Sequence, residues 1–127
     1  MNEPMNVVSA WTRQIEKGQQ PTSADLQDHL AVVHDENAGF TEAVAWNCRD
    51  VNGKNSYELL ADIIDQKHHS NVLELACGSG VLLDLCNQQC DSKVVFSGID
   101  TSDAELKLAR KRLAHTDIKL HQSKAQN

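Results

Sequence analysis

The run Val72-Leu73-Glu74-Leu75-Ala76-Cys77-Gly78-Ser79-Gly80 constrains this 127-residue chain more than any other stretch. Its apolar start reads as a short buried-type strand that passes straight into a glycine turn. A second run, Phe96-Ser97-Gly98-Ile99-Asp100, ends on a carboxylate twenty residues after Gly80. Val81, Leu82, Leu85 and Cys86 between them carry a helical pattern to about Gln89. Strand, turn, helix and strand in this order make a parallel unit with a right-handed crossover. Gly78 and Gly80 lack a Cβ, so the turn can bring bare backbone against a ligand. The helix that follows turns its free N–H groups toward the same place. Asp100 can accept two hydrogen bonds from vicinal hydroxyls, and its distance along the chain is that expected of a ribose-binding acid. The pairing implies a nucleotide-sized ligand site.

The flanking segments extend this unit. Val94–Ile99 is the second strand, and Ser102 with Glu105 has capping-box spacing for a helix running to about His115. Ile118–His121 starts a third strand. The alternation predicts an α/β fold with a Rossmann-like parallel sheet, preceded by an α-helical extension or cap over residues 1–55. Within that extension, Val7, Val8, Trp11 and Ile15 predict a helix over about 6–17. Thr22 or Ser23 caps a second helix with Leu26, Leu30 and Val33 on one face, and residues 40–48 form a third. After the Asn52–Asn55 turn, Ser56 opens a helix with Tyr57, Leu60, Ile63 and Ile64 on one side. Residues 56–127 thus form the first part of a ligand-binding domain. A sheet of so few strands leaves an exposed edge. The expectation is an incomplete doubly wound fold, the N-terminal portion of something longer, or an edge covered by a partner or a second copy.

Charge narrows the partners. The net charge is −6; residues 1–60 hold nine acids against four Lys/Arg, and residues 61–127 hold nine against eight. An acidic chain without a basic run is a poor match for a nucleic-acid backbone. Residues 1–20 have no apolar stretch of the signal-segment kind, and no run approaches the roughly 20 residues of a membrane span. A soluble, cytoplasmic protein is expected, with Cys48, Cys77, Cys86 and Cys90 reduced. His68-His69 and the four scattered histidines show no ligand spacing, so no metal is expected. Cys86 and Cys90, one helical turn apart, read as small buried hydrophobes.

The turn itself separates two cofactors. A dinucleotide site wants G-x-G-x-x-G, and Gly78-Ser79-Gly80-Val81-Leu82-Leu83 puts leucine in the third place. Glu74-Leu75-Ala76-Cys77-Gly78-Ser79-Gly80 instead resembles motif I of the class I S-adenosylmethionine-dependent methyltransferases, with Ala76 at the usual first glycine. Gly98-Ile99-Asp100-Thr101-Ser102 and the helix after it resemble the family's second motif, so the likeness covers about residues 56–127.

That resemblance implies S-adenosyl-L-methionine as cofactor. Ala76, Cys77, Gly78, Ser79 and Gly80 would lie against its methionine part, Glu74 would orient its amino group and Asp100 would take the ribose hydroxyls. Thr101 would stand near adenine, where the family usually has an apolar residue. Lys124-Ala125 stands where the family has an acid–alanine pair, leaving Ala125 a backbone contact. Tyr57 and Trp46 could face the sulfonium as cap residues, since a ring face suits a cation, and Arg49 could meet the cofactor carboxylate. The resemblance implies a methyltransferase, inactive as this span alone, acting on an acceptor for which a small molecule is favoured. Its catalytic residues would lie in the family's later strands. The alternatives are an NAD-type oxidoreductase fragment and a non-catalytic half-fold that pairs with another chain.

Overall fold

The computed structural model describes residues 9–125. Four helices come first: α1 Ala10–Glu16, α2 Ser23–Glu36, α3 Phe40–Asn47 and α4 Ser56–Gln66. Then strands and helices alternate: β1 Asn71–Leu75, α5 Val81–Gln89, β2 Val95–Asp100, α6 Asp103–Arg112 and β3 Lys119–Gln122. Local chemistry sets the helix starts. Ser9, Thr22 and Asn55 cap α1, α2 and α4, each exchanging hydrogen bonds with the residue three positions on. Thr22 rather than Ser23 is therefore the cap of α2. The expected helix over 6–17 is seen from Ala10; its Val7 and Val8 lie outside the described residues.

The three strands form one parallel sheet in the order β1-β2-β3. Glu74 pairs in register with Gly98, and Asp100 with Gln122. Pairing to β3 draws Asp100 into β2, one residue past the expected end. Because both crossovers step the same way along the sheet, right-handedness puts α5 and α6 on one face. The burial pattern agrees. Phe96 and Gly98 are buried while Val95 between strands' outward positions is exposed, as are Leu73 and Leu75. The core lies between that helical face and the sheet, built from Leu82, Leu83 and Cys86 of α5, Phe96 of β2, Leu106 of α6 with Leu113 at its C-cap, and Ala61 of α4.

Gly98 explains how this core closes. A Cβ there would lie 2.8 Å from Leu83 Cδ1 and 2.9 Å from Cys77 Sγ. In a dinucleotide site the third glycine gives a helix and strand room to approach. Here the small residue is on the strand, and the helix supplies a leucine.

Candidate cofactor site

β1 and β2 both deliver their carboxyl ends to one cavity of about 420 Å³. Glu74, Ala76, Cys77, Gly78, Asp100, Thr101 and Ala125, seven of the residues singled out in the sequence, line it together with Tyr57. α2 and α3 close the other side with Leu30, His34, Thr41 and Glu42.

The turn is held by its own acids. Gly78 N–H donates to Asp100 Oδ2 at 2.8 Å, and Ser102 N–H donates to Asp100 Oδ1 at 2.8 Å. Asp100 therefore faces the glycine turn and braces it from the next strand. Each carboxylate oxygen keeps a second lone pair for a hydroxyl donor. Ala76 adopts φ +57° and Gly78 φ +55°. The left-handed region costs an L side chain about 1–2 kcal/mol, so Ala76 carries strain at the one position where the motif departs from glycine.

Ser79 and Gly80 stand behind the cavity rather than in it. Ser79 is buried, and its backbone carbonyl accepts from Arg112 Nε at 3.0 Å. Gly80, at φ +81°, is the N-cap of α5 and offers no side-chain cap. A Cβ there would meet Leu113 Cδ1 at 3.1 Å and Ala109 Cβ at 3.3 Å. Val81, which opens α5, lines a neighbouring groove with Ser79 and Trp46 instead.

Two proposed cap contacts are directed elsewhere. The Trp46 ring takes Arg49 as its cation, with the guanidinium carbon 5.6 Å from the ring centroid. Arg49 Nη1 also donates to the Gly53 carbonyl and to Glu58 Oε1 at 3.0 Å. These partners hold Arg49 at the 49–58 turn, and neither Trp46 nor Arg49 lines the cavity. Lys124 likewise lines an adjoining cavity beside Ala125.

Two glutamates that spacing did not single out for the site complete it. Glu105 was expected to close a capping box on Ser102. Its N–H does donate to Ser102 Oγ at 3.2 Å, but its side chain turns away. Glu105 Oε1 accepts from Gly39 N–H at 3.1 Å and lies 3.3 Å from His34 Nδ1. Asp100 has already taken Ser102 N–H, which frees Glu105 to reach the start of α3. In return Glu42 of α3 accepts from Ser79 N–H through Oε1 at 2.9 Å. Each layer thus satisfies an amide at a helix start in the other.

The cavity is anionic. Glu42, Glu74, Asp100 and Glu105 line it, and no lysine or arginine does among the described residues. Burial pushes the Glu74 carboxyl up to about 8, helped by the charges of Glu42 and Asp100. The Tyr57 hydroxyl is raised too, first by burial and then by Glu42, Glu74 and Glu105. Glu42 Oε2 and Glu74 Oε2 are buried without a hydrogen-bond partner. A ligand that brings positive charge and N–H donors would relieve both. Cys77, whose thiol burial pushes up to about 12, is protonated and enclosed, which makes it a poor site for alkylation.

Comparison with solved structures defines the fold class. The DhpI structure with S-adenosylhomocysteine matches with a TM-score of 0.51 at 18% identity, over 80% of this chain and 47% of that one. The plantazolicin methyltransferase BpumL, solved with a triazolic desmethylPZN analog and S-adenosylhomocysteine, matches with a TM-score of 0.51 at 16% identity, over 79% and 42%. The methyltransferase domain of bacterial CtHen1-C is 26% identical over 53% of this chain and 38% of that chain, with a TM-score of 0.46. The DhpI and BpumL matches give the chain the fold of the class I S-adenosylmethionine-dependent methyltransferases, and it spans less than half the length of those two structures. No family model matches the sequence, and neither does any curated protein. No helix among the described residues is long and apolar enough to cross a membrane.

Proposed function

We propose that this chain is the cofactor-binding portion of an S-adenosylmethionine-dependent methyltransferase. The observation that carries the reading is the charge of the cavity that joins the glycine turn to Asp100. Four acids, with no lysine or arginine among the described residues that line the cavity, suit a ligand bearing a sulfonium and an ammonium. An entering cation favours ionisation of Glu74, which burial otherwise holds protonated up to about pH 8. The same lining repels a dinucleotide pyrophosphate. The N–H groups that would cradle such a phosphate, those of Gly78 and Ser79, already hold Asp100 and Glu42.

On this reading Asp100 takes the ribose hydroxyls, the backbone of Ala76, Cys77 and Gly78 together with Glu74 holds the methionine part, and Thr101 and Ala125 stand at the adenine end. Tyr57, the cap aromatic that lines the cavity, presents a ring to positive charge. When bound, the cofactor supplies an electrophilic methyl group for transfer to a nucleophile. The acceptor is proposed to be a small molecule, and transfer is proposed to need residues beyond this span, which covers less than half of the similar structures.

Isothermal calorimetry with S-adenosylhomocysteine and with NAD tests the reading. Saturable binding of S-adenosylhomocysteine, lost or strongly weakened in Asp100→Ala, is expected, with no heat from NAD. Tighter binding of NAD would sink it in favour of an oxidoreductase fragment.

A further inference from the structure

Glu42 carries one of the unpartnered buried polar atoms among the described residues. It sits in the first turn of α3, is only 9% exposed, and reaches the glycine turn from a different layer. Its Oε1 is satisfied by Ser79 N–H. Its Oε2 is buried with no partner. An ionised carboxylate oxygen left unpaired costs more than a neutral group would, and a cation with N–H donors removes that cost.

Position narrows which cation. A Cβ built on Gly78 would lie 2.6 Å from Glu42 Oε1, so the carboxylate rests directly against the bend. On the proposed reading, the bend holds the amino-acid end of the cofactor, and Asp100 and Thr101 the nucleoside end. A sulfonium has no N–H to give, whereas an ammonium has three. Glu74, the other acid of the cavity lining with a free buried oxygen, comes up from the strand beneath the turn.

We infer that Glu42 is a specificity-determining contact for the α-ammonium group of an amino-acid-bearing adenosyl ligand, supplied by the helical layer rather than by the sheet. The inference rests on the function proposed above. It assigns α3 a direct part in ligand choice: ligands with the free amino group are favoured over nucleosides that lack it. The competing role is inhibitory, with Glu42 occupying the Ser79 N–H that a ligand carboxylate would otherwise use.

Glu42→Gln separates these roles, because the amide keeps an acceptor for Ser79 and replaces the free oxygen with donors. Affinities are measured by calorimetry for S-adenosylhomocysteine and for methylthioadenosine, which has the same nucleoside and no amino acid. The variant is expected to lose about ten- to a hundredfold for S-adenosylhomocysteine, the range for a hydrogen bond to a charged group. Methylthioadenosine should bind both forms equally. Unchanged S-adenosylhomocysteine affinity overturns the inference and leaves the proposed function standing. Tighter binding by the variant overturns it in favour of the inhibitory role. If the wild-type chain binds neither ligand, the proposed function fails first and the inference with it. Should the variant not fold, the wild-type chain decides. S-adenosylhomocysteine without its amino group must bind at least about tenfold more weakly than the parent, and equal affinity overturns the inference.

Discussion

Glu74 shows how one residue can tie stability to the site. An unfolded glutamate ionises near 4.5, while burial holds the folded Glu74 to about 8. Between these values the folded chain binds the proton more strongly than the unfolded one. Stability therefore falls as pH rises through that window and levels off above it. Glu74→Gln removes the titration. Thermal melts should find the variant more stable than wild type at about pH 8, with the gap closing toward about pH 4.5. A gap that is constant across the range would mean that Glu74 is not held protonated. Cofactor binding adds a second consequence on the proposed reading. A cation favours the ionised acid, so affinity should climb as pH approaches about 8.

Among the elements, the β1–α5–β2 unit has the least room for change. Gly98→Ala would push a methyl group into Leu83 and Cys77, both core residues. Overpacking of this kind costs about 1–3 kcal/mol, to be read as a lowered urea midpoint. Leu83→Ala made together with it should cost less than the two changes summed, because the leucine is what the new methyl meets. A midpoint unmoved by Gly98→Ala would refute the close approach.

This unit was also the part most legible in the sequence. Hydrophobic runs, glycine punctuation and the twenty-residue gap to Asp100 are local signals, and they located Ala76, Cys77, Gly78 and Asp100 in the cavity, while Glu74, Thr101 and Ala125 came from the family resemblance. Strand ends moved by a residue because pairing to β3, not composition, decides where β2 stops. Glu42 left no such signal. It meets Ser79 from 37 residues away, and an acid in a first helical turn is unremarkable by itself. Arg49 and Trp46 went to each other, and Arg49 also to Glu58, because those partners lie close along the chain.

For the whole molecule, the sheet has two unlike faces. α5 and α6 cover one, while the other exposes Leu73, Leu75 and Val95 at 53%, 54% and 59%. Parallel sheets are ordinarily buried on both faces, and β1 stands at an edge. Sedimentation at rising concentration is expected to show larger species for wild type and a monomer for Leu73→Lys/Leu75→Lys. A wild-type monomer at every concentration would count against contact through this face.

The exchanged glutamates also bear on motion. Gly39 N–H rests on Glu105, and Ser79 N–H rests on Glu42. Swinging α3 away from the sheet breaks both bonds at once. In deuterated solvent the amides of Gly39 and Ser79, 40 positions apart in the chain, should therefore lose protection in a single concerted opening, and a ligand that pins α3 should slow the two together.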